Sequence, residues 1–183
     1  MNTAEQLRNI IQSGTKEEKI KALESASNVT EPKILEIVIS EFDDSDIELR
    51  GEAFSALLLN DGDILEILLQ GLRNQSKNIR GYCTLVLANR NEKKAIQKII
   101  HLTEDENAMV RSCAVGALGF LRASEATSAI RKCLDDTNME VKKSAIKSAI
   151  DIKDRSLLSK IDDLSQENDP EINKLVILAR NNL

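Results

Sequence analysis

The sequence predicts an all-α fold, a right-handed α-solenoid (an α-α superhelix) of about six stacked helical hairpins. Three observations predict it. The chain repeats itself with a period near 31 residues, each period holds two apolar runs with helical spacing, and the composition leaves little material for β-structure. Aromatic residues make up 2% of the chain, there is no Trp, and seven Gly and two Pro supply few turns. A core drawn from Leu, Ile, Val and Ala suits helices that meet along thin aliphatic stripes.

The period is read from SDIELRGEAFSAL, SKNIRGYCTLVL, NAMVRSCAVGAL and NMEVKKSAIKSA. Anchored on the aliphatic residue before the Arg or Lys (Leu49, Ile79, Val110 and Val141), these segments are spaced by 30, 31 and 31 residues. One further step of 31 reaches Ile172, and one step back reaches Glu18 in a degenerate first copy. Four residues past the anchor stand Ala22, Ala53, Cys83, Ala114, Ala145 and Val176. Eleven before it stand Val38, Leu68, Ile99, Ile130 and Ile161. So many columns agreeing over five copies exceed chance.

Each period gives a first and a second helix. The expected spans are 3–12, 15–28, 31–42, 46–59, 62–73, 77–89, 93–103, 107–121, 124–134, 138–151, 154–165 and 169–181. Thr30 with Pro32, Asp61, Ser124, and Asp169 with Pro170 supply helix-start signals. The repeats run over 1–29, 30–60, 61–90, 91–122, 123–152 and 153–183, read as a single array with no linker. One hairpin has too little apolar surface to fold alone, so stacked neighbours must supply the core, and terminal copies should turn polar toward water. Glu18 in the anchor column fits such a cap.

Charge and cysteine usage narrow the function classes. A net charge of −5 argues against a dedicated nucleic-acid binder, which needs surplus Lys and Arg to neutralise phosphates. MNTAEQLRNI lacks the pattern of a signal peptide, and no apolar run approaches a membrane span. Cys83, Cys113 and Cys133 match neither a disulfide framework nor a zinc ribbon, so a reduced, cytoplasmic protein is expected.

An acidic residue followed by an aliphatic-Arg pair and then small residues with Ala-Leu resembles the HEAT repeat, most closely in RSCAVGALGFL at 111–121. The 31-residue period resembles the short subclass known from phycobiliprotein-lyase-type proteins and designed arrays. The resemblance covers nearly the whole chain and implies a fold more than a function. It also implies a ladder of acidic residue and Arg along the stack, formed here by Asp44 with Arg50, Asn74 with Arg80, Asp105 with Arg111 and Asp136 with Lys142. Uncharged Asn74 and non-bidentate Lys142 depart from that pattern. These residues are therefore expected to serve the scaffold, not to bind anions.

No catalytic constellation can be assembled, and neither a cofactor nor a metal is expected. His101 is the only histidine, which argues against the paired His-Glu motifs of HEAT-type di-iron hydroxylases. Cys83 lies in the buried column four past the anchor; Cys113, three past it, is a partly exposed thiol with no base at an evident spacing. The acidic run at 43–46 lacks the ligand spacing of an EF-hand and fits helix capping. A phycobilin-lyase-like or other enzyme subunit holding a small ligand in the groove is the alternative, and a nucleic-acid binder the second.

The expected function is a non-enzymatic scaffold that binds a protein or peptide on the concave face of the second helices. Positions −1, +2, +3 and +6 from the anchor give that face its character. Glu48 and Glu52 form an acidic end, Tyr82, Leu85, Met109, Ser112 and Cys113 an apolar and small centre, and Lys143 and Lys147 a basic end. Tyr82, Leu85, Met109 and Cys113 are the expected anchors.

Overall fold

The second helices begin where a Ser, Thr, Asp or Asn stands three residues before the anchor. In the computed structural model, which describes residues 3–167 and 169–183, Thr15, Asp46, Ser76, Asn107, Asn138 and Asp169 are the N-caps of α2 (Lys16–Ser25), α4 (Ile47–Leu58), α6 (Lys77–Asn89), α8 (Ala108–Phe120), α10 (Met139–Asp151) and α12 (Pro170–Asn182). Each accepts a backbone amide of the first turn, satisfying a donor that the helix leaves open. At Thr15 the cap is reciprocal, because Glu18 returns a 2.8 Å bond to the Thr15 amide. The anchor column of the first copy thus serves a capping box.

The first helices are α1 (Thr3–Ser13), α3 (Pro32–Ser40), α5 (Leu65–Gly71), α7 (Ile96–Leu102), α9 (Thr127–Cys133) and α11 (Leu158–Asp163). All but α1 are shorter than the sequence predicts, because several of their first or last turns wind as 3-10 helix, at Glu41–Asp43, Lys93–Ala95, Ser124–Ala126 and Arg155–Leu157. Thr30 and Asp61 are not caps: Glu31 precedes α3, and residues 61–63 form a bend ahead of Ile64. Among the described residues there is no strand.

The chain divides into two compact units, Met1–Arg90 and Asn91–Leu183. In the first, three hairpins close over Leu23, Phe42, Leu57, Leu68 and Leu87. Asn60, buried in the turn after α4, donates to the Val29 carbonyl and accepts from the Gly62 amide. Arg90 ties the same turn down through the carbonyls of Leu57, Asn60 and Gly62. In the second unit, three hairpins close over Leu118, Ile130, Leu134, Ile146 and Leu157. There α8 and α10 approach closely at Gly119, where a Cβ would lie 2.7 Å from Ser148 Cα. Ser148 Oγ crosses the same junction to the Val115 carbonyl at 2.8 Å.

Asn91, Arg122 and Lys153 have φ of 57°, 52° and 55°. They sit 31 residues apart and reverse the chain after a second helix, a place where Gly is usual because a side chain in this conformation costs about 1 kcal/mol or more. The turns hold through bonds from Ala123 to the Leu118 carbonyl and from Asp154 to the Ala149 carbonyl.

Candidate partner-binding face

Scaffold and surface separate once the ladder is traced. The guanidinium groups of Arg50, Arg80 and Arg111 each donate to two carbonyls in the turn of their own copy, those of Asp44 and Ser45, Asn74 and Gln75, and Asp105 and Glu106. The carboxylates of Asp44, Asp105 and Asp136 and the Asn74 amide oxygen accept the backbone amide two residues on. Side chain meets side chain between consecutive copies: Arg111 clamps Asp136 at 2.7 and 2.8 Å, Lys142 bonds Glu167, and Lys19 stands 4.0 Å from Asp44. This corrects the pairing expected within one copy. In Arg111 one terminal nitrogen takes the carbonyls of its own turn, which leaves the other guanidinium edge for Asp136 of the next copy. Asn74 needs no charge for its share, since a neutral oxygen accepts an amide equally well. The Arg111 bond, foremost among several, holds the Asp136 carboxyl below the usual carboxylate range.

The more exposed face of α4, α6 and α8 is a stripe at −1, +3, +6 and +10 from the anchor, positions that share one side at 100° per residue. On α8 it comprises Met109, Cys113, Gly116 and Phe120. Met109 is 37% and Phe120 60% exposed, and the space over Gly116 is open. Cys113 Sγ lies 3.7 Å from Met109 Sδ, and burial pushes its thiol up to about 11, the reverse of what an activated nucleophile needs. Beside the stripe, Ser112 Oγ meets Ser144 Oγ at 2.8 Å and so belongs to the α8–α10 junction. On α10, Lys147 is exposed. Lys143 is only 8% exposed and lies 2.7, 3.2 and 3.6 Å from Glu171, Glu140 and Asp169. Its charge is engaged within the scaffold, and it is withdrawn from the basic end. Past Phe120 the face opens on a hollow of about 480 Å³, lined by Arg122, Asp151, Lys153 and Asn182. Burial raises the Asp151 carboxyl above its ordinary value, against the pull of Arg122.

In the first unit the stripe on α4 runs Glu48, Glu52, Ser55 and Leu59. Glu48 pairs with Lys16 at 2.6 Å, Glu52 is half-buried and Leu59 is 68% exposed. On α6, Tyr82 and Leu85 are half-buried. The Tyr82 ring stacks on Phe42 at 4.9 Å and meets Phe54 edge-on at 6.4 Å, so its flat faces are largely spent on its own unit. Sequence reasoning missed Leu59 and Phe120, both at +10. One further turn along the stripe from +6 would have found them.

Among the described residues no group of three or more His, Cys, Asp or Glu could hold a metal ion, and no helix is long and apolar enough to cross a membrane. Two units of paired antiparallel helices joined by tight turns, with their polar repeats spent on junctions, define an α-solenoid repeat protein. Residues 65–150 match the family model for HEAT repeats, and the fold is that of a HEAT-like repeat array. No curated protein matches it in sequence. Solved structures share the fold at low identity. A designed armadillo repeat protein in complex with the peptide (KR)4 is 17% identical, with a TM-score of 0.63 over 99% of each chain. The complex of CpcE and CpcF of phycocyanin lyase from Nostoc sp. PCC7120 is 17% identical, with a TM-score of 0.71 over 80% of this chain and 97% of that one. An engineered protein is 20% identical, with a TM-score of 0.61 over 100% of this chain and 96% of its own.

Proposed function

We propose that the chain is a non-enzymatic scaffold that binds a protein or peptide on its second-helix face, the concave side in this architecture. The observation that carries this is the α8 stripe, where Met109 and Phe120 stand exposed at either end of a helix whose other faces are packed. Large apolar side chains held on a rigid helix with open space between them are what a partner's anchor residues need. The residues that repeat are spent on the ladder, so those that differ from copy to copy remain for recognition. Leu59 and Leu85 extend the apolar positions in the first unit, and Glu52 and Lys147 contribute charge of either sign. A designed armadillo protein that takes a peptide supports the reading by fold alone.

The test is affinity capture from the native cell followed by mass spectrometry, with wild type beside Met109→Glu and Phe120→Ala, each confirmed folded by circular dichroism. Proteins recovered by wild type should be lost from both variants. Recovery of the same set by all three would overturn the assignment of the face.

A further inference from the structure

In the first unit, the first helices of two consecutive copies, α1 and α3, line an open hollow of about 420 Å³. Ile11 and Ile37 give it buried aliphatic wall, Gln12 and Ser40 are polar and exposed, and Arg8, Glu36 and Glu41 are charged. Its volume lies in the range of small-ligand sites, roughly 300–1,000 Å³. Two carboxylates against one guanidinium leave it negative.

Glu41 sets this hollow apart. It is 6% exposed, and its Oε2 has no hydrogen-bond partner among the described residues. A carboxylate this deep is ordinarily paired, because it has given up water and needs a donor in exchange. Lys19, whose charge is felt at Glu41, lies 4.0 Å from Asp44 and leaves Oε2 unanswered. Ser40 spends its hydroxyl hydrogen on the Ile37 carbonyl at 2.6 Å, so its oxygen is left as an acceptor. Next to a surplus of acceptors, what is missing is a positively charged donor. A calcium ion would need six or more oxygens, which two carboxylates and a hydroxyl do not supply. An ammonium brings three donors, and Ile11 and Ile37 suit a short alkyl stem behind it.

We propose that this hollow binds a primary alkylammonium group, which pairs with Glu41 and lays its stem against Ile11 and Ile37. A free amine or the lysine side chain of a peptide presents the same chemistry. The site belongs to the first unit and does not depend on the α8 stripe.

Amide NMR of the isotope-labelled full chain, titrated with n-butylamine at about pH 7 where the amine is charged, tests it. Saturable shifts should centre on Ile11, Gln12, Ile37 and Ser40, with a Kd of about 1 mM. N-butylacetamide, which keeps the stem without the charge, should bind at least about tenfold more weakly, and Glu41→Gln should weaken butylamine by the same factor. That variant relieves a buried charge and should fold, which circular dichroism checks. Glu36→Gln, the same charge change at an exposed position, should cost less than about threefold. Nα-acetyl-lysine methylamide separates the sources: binding tighter than butylamine assigns the site to a peptide's lysine, and equal or weaker binding to a free amine. No saturable binding of either amine would overturn the proposal, as would shifts away from α1 and α3, or equal losses in Glu41→Gln and Glu36→Gln.

Discussion

At Glu41 a carboxylate occupies a column that is otherwise apolar or small: Ile10, Gly71, Leu102, Cys133 and Leu164 stand eight residues before the anchor in the other copies. The fold buries it there to 6% exposure, and its Oε2 has no hydrogen-bond partner among the described residues. Burial raises the carboxyl above its ordinary value, Asp44 adds to this, and Lys19 opposes it. A raised folded value means the folded state holds the proton more tightly than the unfolded chain. Stability is then lost as pH rises from the ordinary carboxylate value through the raised one. Glu41→Leu, which restores the column, should stabilise the first unit by about 1–2 kcal/mol at neutral pH, the scale of one unsatisfied buried polar group. Glu41→Gln should remove the pH dependence, so its advantage over wild type grows between about pH 4 and about pH 7. Urea titrations followed by circular dichroism suit a chain without Trp. A gap that stays constant across that range would show that the carboxylate is not the cause. Aligning the copies exposes Glu41 as the odd member of its column; its depth is a fact of packing.

At the scale of helices and turns, the second helices were nearly all legible, because cap, anchor and small column are each set by residues close in sequence. The first helices were less so. Their ends wind as 3-10 turns after residues such as Arg122 and Lys153 take positive φ, and nothing in an Arg or a Lys signals that conformation. The ladder was legible in its members and not in its partners. Sequence neighbours suggested a rung inside each copy, whereas the contact between side chains spans 25 residues to the next. The Arg111–Asp136 rung has side-chain exposures of 17% and 10%, with two parallel charged bonds. Asp136→Ala would remove the clamp and also the acceptor for the Asn138 amide, and should cost about 2–3 kcal/mol. The Asp136 carboxyl sits below its ordinary value, so this contribution is full above the ordinary carboxylate range. It is lost as pH falls through the lowered value, the opposite sense to Glu41. Arg111→Lys, with Asp136 intact, should keep only part of this contribution, since an ammonium cannot make the paired contact. If Asp136→Ala and wild type converge in stability only above neutral pH, the assigned sign is wrong.

Over the whole molecule, the charge is unevenly shared. Residues 1–90 carry ten Lys and Arg against fifteen Asp and Glu, and residues 91–183 carry fifteen of each, so the net −5 belongs to the first stretch. Composition alone made this readable, and it bears on the class of partner more directly than the fold does, since a solenoid serves many ligands. A nucleic-acid duplex presents a phosphate about every 1.7 Å, and binding depends on cations that displace its counterions. Here the cations are committed elsewhere: Arg111 and Lys142 to the ladder, Lys143 to three carboxylates, and Lys16 to Asp46 and Glu48. Freeing them would break the junctions that hold the helices. What remains exposed, Lys147 and Lys174 among them, is balanced within the second unit and outweighed in the first. A labelled duplex of about 20 base pairs should therefore show no saturable binding at physiological salt, and weak retention at low salt should vanish by about 0.15 M. Fluorescence anisotropy reads both conditions. Micromolar affinity at physiological salt, weakened by Lys147→Glu and indifferent to Met109→Glu, would move the function from protein recognition to nucleic acid. Its absence would leave standing the proposal that the apolar stripe of α8 takes a protein or peptide.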